Sequence, residues 1–173
     1  MSRKSPRNWL WGSLSRFGLI IAAVTMVVDQ AIKWWMLEVF NIEAKGTVTV
    51  TPFFDLVMVW NRGISYGLFQ QDSATGRFLL IGIVVVALTV MVCWLARSTT
   101  SLSAVALGLI LGGGVGNLID RVVHGAVADF FSFHAFGYYW YVFNIADAAI
   151  VAGVVGLLYD SLFGSHKKVS NTP

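Results

Sequence analysis

Charged residues are scarce in this sequence. Asp, Glu, Lys and Arg make up 12% of the 173 residues, about half of the ~25% that is usual for soluble domains. Hydrophobic residues make up 57%, and the mean hydropathy is +0.72. This composition excludes an ordinary soluble domain and predicts an integral membrane protein. The net charge is only +3, so a nucleic-acid-binding protein with a basic footprint is not expected.

Cysteine and histidine are scarce as well. The single cysteine, Cys93, cannot form an internal disulfide, and because it lies inside an apolar run we interpret it as a small core residue. There are three histidines and no His-Glu-x-x-His motif, so a zinc peptidase is not expected. We expect neither a metal nor another cofactor, and we interpret His124 and His134 as loop or interface residues.

Long apolar runs are the main feature that is present. Four segments are apolar over close to the ~20 residues that a helix needs to cross a bilayer. We therefore predict one membrane domain over residues 1–173, with an all-α core of four transmembrane helices and a small extracytoplasmic β-rich lobe. The predicted spans are about 16–39, 78–95, 102–119 and 142–163.

The β-rich lobe is predicted at 41–77. Residues 47–51 alternate valine with threonine, and 54–60 are again rich in strand-forming residues. Too few strands are present for a spanning barrel, so we expect a small sheet that lies on the membrane. Segment 121–141 is predicted to be a loop that ends in an aromatic belt at 138–141.

Basic residues indicate the orientation. With both termini in the cytoplasm, seven of the 12 basic residues lie on that side, in two tails and one short loop, as the positive-inside rule favours. The third helix then ends, and the fourth begins, at the extracytoplasmic surface. We therefore predict that the polar residues of these helix ends form one cluster near that surface.

The third helix carries two patterns. Asn117, Asp120 and Arg121 are spaced i, i+3, i+4 and share one helix face, and we interpret Asp120 and Arg121 as a salt bridge. Small residues spaced four apart allow helix backbones to approach closely. Three glycines have this spacing: Gly108, Gly112 and Gly116.

The first and fourth helices add further polar residues at the same depth. Asp29 and Lys33 are spaced i, i+4 near the end of the first helix, which allows a salt bridge. Asn144 and Asp147 are spaced i, i+3 and are expected to share a face of the fourth helix. Ionisable groups in a membrane are costly, so their presence indicates a functional site.

Three chemistries are compatible with such a cluster. Two carboxylates that face each other can share one proton and hydrolyse a peptide bond without a metal or a nucleophile. Residues 63–67 match the Gly-x-Ser-x-Gly pattern around Ser65, but the chain lacks the α/β-hydrolase architecture in which that motif works. A small proton-coupled transporter is the alternative function, although its acids should lie near the bilayer midplane.

Five ordered motifs give the chain a specific resemblance. It resembles the bacterial lipoprotein signal peptidases, also called type II signal peptidases, over 29–147. The motifs are Asp29-x-x-x-Lys33, Asn61-x-Gly63-x-Ser65-Tyr66-Gly67, Gly112-Gly113-x-x-Gly116-Asn117-x-x-Asp120-Arg121, Val127-x-Asp129-Phe130 and Phe143-Asn144-x-Ala146-Asp147.

The resemblance implies an aspartic endopeptidase that cleaves prolipoproteins before a diacylglyceryl-modified cysteine. It implies Asp129 and Asp147 as the catalytic pair. We further predict a monomeric, multi-pass protein of the bacterial inner membrane that contacts membrane lipids and binds no nucleic acid, with its active site towards the extracytoplasmic face. The residues implied to support the site or contact substrate are Asn61, Gly63, Asn117, Asp120, Arg121, Asn144, Asp29 and Lys33.

Overall fold

The computed structural model describes residues 11–63 and 74–163. Helix α1 covers Ser15–Trp34 and continues as a π-helical turn, Trp35–Val39. The short helix α2, Ile42–Lys45, follows. Three long helices complete the described part of the chain: α3 at Ala74–Leu95, α4 at Ser101–Val123 and α5 at Ile145–Phe163.

Four helices in this part of the chain are long and apolar enough to cross a membrane. This confirms the predicted all-α membrane core. Three helix ends differ from the predicted bounds by three residues or more. Helix α3 begins at Ala74, four residues before its predicted start at 78. Helix α4 continues to Val123 and so includes Arg121 in its last turn. Helix α5 begins at Ile145, so Asn144 precedes the helix.

A four-stranded antiparallel sheet joins the helices on one side. Its strands are β1 at Val48–Thr51, β2 at Phe54–Asn61, β3 at Val127–Ala135 and β4 at Tyr138–Tyr139, in the order β1-β2-β3-β4. The two strands predicted within 41–77 are confirmed. The loop predicted at 121–141 is wrong.

Strand β3 occupies residues 127–135 of that supposed loop. It pairs with β2, and Asn61 lies opposite Val127 while Val59 lies opposite Asp129. Residues 127–130 are all buried. A strand that is buried on both faces lacks the alternation of polar and apolar residues by which an exposed strand is recognised. His134 likewise lies in β3.

The sheet rests on the end of α1. The side chain of Met36, in the π-helical turn, packs with Ile42, Ala128 and Phe130 in one buried apolar cluster. Partly buried residues of β2 complete this cluster. The cluster fixes β3, and therefore Asp129, relative to the end of α1.

Helix α4 is central and packs against both α1 and α5. A Cβ atom added to Gly112 would lie 2.4 Å from the carbonyl oxygen of Ala22 in α1, and one added to Gly113 would lie 2.4 Å from that of Ala146 in α5. At Gly116 the added atom would lie 2.5 Å from Asp29 Oδ2. Only glycine permits these approaches, which confirms the close packing predicted from the glycine spacing.

Candidate active site

Asn144 links the two aspartates of the predicted pair. Its side-chain amide donates to Asp129 Oδ1 over 2.7 Å, and its backbone N–H donates to Asp147 Oδ2 over 3.3 Å. Asp129 lies in β3 and Asp147 in the first turn of α5. The structure therefore brings the two carboxylates to one place from separate elements.

The first turn of α5 is held by side chains. Asn144 Oδ1 accepts from the backbone N–H of Asp147 over 2.9 Å, while Asp147 Oδ2 accepts from the N–H of Asn144. This reciprocal arrangement is a capping box. The backbone N–H of Ala146, the residue before Asp147, donates to Asp29 Oδ1 over 2.9 Å. The first N–H groups of an α-helix have no partner within the helix. Here two of them, those of Ala146 and Asp147, donate to side chains.

Asp129 is almost fully buried, with 1% of its surface exposed. The side-chain amide of Asn61 donates to its Oδ2 over 3.1 Å and also contacts the hydroxyl oxygen of Tyr141. Burial, and then the nearby charge of Asp147, raise the pKa of Asp129 from 3.8 to about 7. Loss of water and a like charge both disfavour the ionised carboxylate. Asp129 is therefore suited to carry a proton near neutral pH.

Asp147 receives its second hydrogen bond from α4. Asn117 Nδ2 donates to Asp147 Oδ1 over 2.8 Å. Asn117 Oδ1 in turn accepts from Lys33 Nζ and from Asn144 Nδ2, each over 3.1 Å. Helix α1 is thereby connected to Asp147 through a single amide.

A buried ionic cluster lies behind this amide. Lys33 Nζ is 2.8 Å from Asp29 Oδ2 and 2.8 Å from Asp120 Oδ2. The predicted salt bridge between Asp29 and Lys33 is confirmed. Asp120, however, pairs with Lys33 instead of Arg121, because neighbouring residues of a helix do not face each other. The backbone N–H of Ala128 also donates to Asp120, over 3.1 Å.

Gln30 belongs to this cluster and was missed from the sequence. Its amide nitrogen lies 3.2 Å from Asp29 Oδ2 and 2.9 Å from Asp120 Oδ1. The signal was a polar residue beside Asp29 in an apolar helix. Tyr141, beside Asn61, was also missed because it was assigned to the aromatic belt.

Arg121, in the last turn of α4, is partly buried. Its Nη2 donates to the carbonyl oxygen of Gly63 over 2.9 Å, and its Nη1 donates to that of Asn117 over 3.2 Å. Among the described residues, its Nε is buried without a hydrogen-bond partner. Arg121 and Gly63, both predicted site residues, are therefore in contact. Ser65 and the rest of the Gly-x-Ser-x-Gly segment lie outside the described residues.

A cavity of about 280 Å³ leads from these polar groups along the helices. Its polar end is lined by Asn61, Asn117, Arg121 and Asp147. The lining on α3 runs from Leu80 to Met91, about 16 Å at the helical rise of ~1.5 Å per residue. This is roughly half the ~30 Å hydrocarbon core of a bilayer. The cavity is otherwise lined by Val127 of β3 and by apolar residues of α3, α4 and α5, including Ile83, Ala87, Ile110, Gly114 and Ile150.

Comparison with known proteins identifies the family. Residues 21–163 match the family model described as signal peptidase (SPase) II. The chain belongs to the signal peptidase II family. The resemblance predicted from the five motifs is thereby confirmed, and the protein is a peptidase.

Relatives of the signal peptidase II family match nearly the whole chain. A lipoprotein signal peptidase of Rhodopseudomonas palustris strain TIE-1 is 52% identical over 154 residues, which cover 87% of this chain and 94% of the relative. A lipoprotein signal peptidase of Nitrobacter hamburgensis is 53% identical over 150 residues, covering 84% and 92%. These relatives support the predicted removal of signal peptides from lipoprotein precursors.

Solved structures agree with the fold. A bacterial membrane enzyme solved by the in meso method at 2.3 Å resolution superposes with a TM-score of 0.71 at 27% identity, covering 91% of this chain and 94% of that chain. A second, solved by the same method at 1.9 Å, gives a TM-score of 0.65 at 26% identity, covering 91% and 95%. With its four apolar helices, this signal peptidase II is a multi-pass membrane protein.

Proposed function

We propose that this protein is an aspartic endopeptidase in which Asp129 and Asp147 form the catalytic pair. The observation that carries the proposal is the linkage of both carboxylates to one residue, Asn144. One of the two carboxylates, that of Asp147, lies at the polar end of the cavity. The raised pKa of Asp129, about 7, supports a shared proton. Like charges that lie close together cannot both ionise cheaply.

The proposed reaction uses one ionised and one protonated carboxyl group. Asp147 is the ionised member, because the N-terminal end of a helix stabilises an anion and Asn117 donates to it. It takes a proton from water as the water oxygen attacks the scissile carbonyl carbon. Asp129 gives its proton to the carbonyl oxygen, and a tetrahedral gem-diol forms. Asp147 then protonates the leaving nitrogen, Asp129 regains a proton from a hydroxyl group, and the C–N bond breaks.

The proposed substrate is a prolipoprotein whose cysteine carries a diacylglyceryl group. The apolar cavity extends from Asp147 over about half the thickness of a bilayer core. In such a substrate the scissile peptide bond would lie at the polar end of the cavity, and the acyl chains of the modified cysteine would lie along the apolar lining. Arg121 and Asn61 line the same polar end and are proposed to contact the peptide.

The proposed orientation has both termini in the cytoplasm and the aspartates towards the extracytoplasmic face. The basic residues of the tails and of the loop between α3 and α4 support this orientation. The substrate's cleavage site would then be reached after its signal peptide has entered the membrane.

The deciding experiment separates hydrolysis from transport. Purified protein in lipid nanodiscs, which sustain no ion gradient, is incubated with a synthetic diacylglyceryl-cysteine peptide, and the products are identified by mass spectrometry. We expect one cut, immediately before the modified cysteine. Absence of cleavage by folded protein, together with proton-coupled flux in sealed vesicles, would instead establish the transporter.

A further inference from the structure

Lys33 forms three contacts with its three N–H donors. Its ammonium group is 2.8 Å from Asp29, 2.8 Å from Asp120 and 3.1 Å from the side-chain oxygen of Asn117. The ammonium carries three donors, so each acceptor has one. Only 4% of the residue is exposed. The first two contacts neutralise charge, whereas the third contacts a neutral amide that is bonded to Asp147.

The orientation of that amide matters because its two ends differ. With its oxygen towards Lys33, Asn117 presents its NH₂ group to Asp147. In the flipped orientation its oxygen would face the carboxylate, and two acceptors would repel each other. The oxygen also accepts from Asn144. However, Asn144 Nδ2 lies near three acceptors and has only two hydrogens.

We propose that Lys33 is a positioning residue of the peptidase reaction. It holds the amide of Asn117 so that the NH₂ group donates to Asp147, the carboxylate that must be ionised to take a proton from water. The proposal rests on the proposed function of Asp147. It assigns Lys33 a part in the reaction in addition to neutralising Asp29 and Asp120. Lys33 reaches Asp147 through two hydrogen bonds: Lys33 donates to the side-chain oxygen of Asn117, and the side-chain NH₂ of Asn117 donates to Asp147.

Other charged groups also act on Asp147. Asp129 faces it from β3, and Arg121 faces it from α4. The charge of Lys33 also acts through space. A test must therefore separate orientation of the amide from the simple loss of a positive charge.

The first variant keeps the charge of the buried cluster. Lys33→Met alone would leave two carboxylates buried without a cation, which is strongly destabilising. Lys33→Met combined with Asp120→Asn keeps the net charge of the Asp29, Lys33 and Asp120 cluster at one negative unit. The wild type, which has the same cluster charge, is the matched reference, and Asp120→Asn alone controls for the loss of the Asp120 carboxylate. Lys45→Met, in the short helix α2, controls for loss of a lysine elsewhere.

The measurement is the pH profile of kcat and KM for the lipidated peptide in nanodiscs. Relative to the wild type, which has the same cluster charge, the double variant should lose about 10- to 100-fold in kcat, as expected when a hydrogen bond to a charged group is lost. Asp120→Asn alone should lose less. The low-pH limb of the profile should move to higher pH, because the anion of Asp147 has lost a donor. KM should change little, and Lys45→Met should match the wild type.

A variant that lacks the Asn117 amide tests whether Lys33 acts on Asp147 through that amide or by its charge through space. In an Asn117→Leu protein, removing Lys33 in the same charge-balanced way should produce no further shift of the low-pH limb, since the two residues act as one device. A full additional shift would overturn the proposal and attribute the effect to charge through space. A folded double variant whose low-pH limb is unchanged would overturn the proposal as well.

A second variant keeps the test decisive if the double variant does not fold. Asn117→Asp has the same shape and can still accept from Lys33, but it cannot donate to Asp147. It should lose at least 10-fold in kcat, and full activity would overturn the proposal. Failure of the underlying function would be distinct, because Asp147→Asn would then remain active whatever happens at Lys33.

Discussion

Asn144 and Asp147 exchange hydrogen bonds at the start of α5. Each accepts from the other's backbone N–H, over 2.9 Å at Asn144 Oδ1 and 3.3 Å at Asp147 Oδ2. The proposed catalytic carboxylate is therefore also part of a helix cap. Its second oxygen is held by Asn117 over 2.8 Å. A carboxylate fixed through both oxygens is positioned before substrate arrives, which limits reorganisation during the reaction.

Asp129→Asn and Asp147→Asn should each abolish cleavage. Asparagine keeps the shape and most of the acceptor geometry but transfers no proton, and loss of acid–base catalysis typically costs about 10²–10⁴-fold. The two losses should not multiply in the double variant, since each breaks the same device. Cleavage of the lipidated peptide is measured by mass spectrometry. Asp160→Asn is the matched control, because Asp160 lies in the same helix but bonds to Thr100 and Ser103 at its far end.

Ser65→Ala and chelators should leave substantial activity. The aspartic mechanism gives the Ser65 hydroxyl no proton transfer, and it uses no metal ion. Activity is compared with that of untreated wild type in the same nanodiscs. A folded but inactive Ser65→Ala protein beside an active Asp129→Asn or Asp147→Asn protein would restore the serine hydrolase.

Activity and stability should both depend on pH through Asp129. Its pKa is raised from 3.8 to about 7, so between these values the folded protein binds a proton that the unfolded chain has released. The contribution of Asp129 to the free energy of unfolding is fully present below about pH 4 and is lost as the pH rises to 7. Wild type should therefore unfold at a lower temperature at pH 8 than at pH 5. Asp129→Asn should show a smaller difference.

The activity profile should fall on both sides of an optimum, because one carboxyl group must be protonated and the other ionised. The high-pH limb should lie near the pKa of Asp129, although a coupled pair titrates as a unit. A flat profile, measured where chemistry is shown to limit the rate, would argue against a shared proton.

Gly116→Leu should prevent folding. A Cβ atom at Gly116 would lie 2.5 Å from Asp29 Oδ2, so a larger side chain must separate α4 from α1. Gly82→Leu, in α3, is the matched control, since an added Cβ there meets no atom of residues 11–63 or 74–163 within 4 Å. Monodispersity in detergent and thermal unfolding are measured for both. A well-folded and active Gly116→Leu protein would contradict the described contact between α4 and α1.

Reporter fusions test the orientation. A fusion at residue 70 should report the extracytoplasmic side, and one at residue 170 should report the cytoplasm, because basic residues are concentrated in the tails and in the short loop between α3 and α4. Paired alkaline phosphatase and fluorescent protein fusions give opposite signals on the two sides. Two fusions on the same side would refute the topology.

The membrane core was predictable because its signal is local. Each apolar run is long enough by itself to identify a helix, as at Thr75–Leu95. The polar residues of the site could be found for the same reason, since any carboxylate in such a sequence is conspicuous. Their common depth followed from the order of the helices.

What escaped prediction depends on tertiary contacts. Residues 127–130 are buried on both faces, so the sequence carries no alternation that distinguishes β3 from a loop. The partner of Asp120 is Lys33, which lies on another helix, and helical spacing reports only neighbours on the same helix. The hydrogen bond from Ala146 to Asp29 crosses 117 residues and has no local signal.

The cluster around Lys33 also has a consequence for biosynthesis. Lys33 and Asn117 are separated by 84 residues, which a ribosome working at ~5–20 residues per second needs about 4–17 s to synthesise. During that interval α1 enters the membrane before α4 exists. Asp29, one helical turn from Lys33 and 2.8 Å away in the folded protein, is available on the same helix throughout. Asp29 and Lys33 can thus neutralise each other's charge within α1, so the first helix can remain in the membrane until α4 and α5 have been synthesised and inserted.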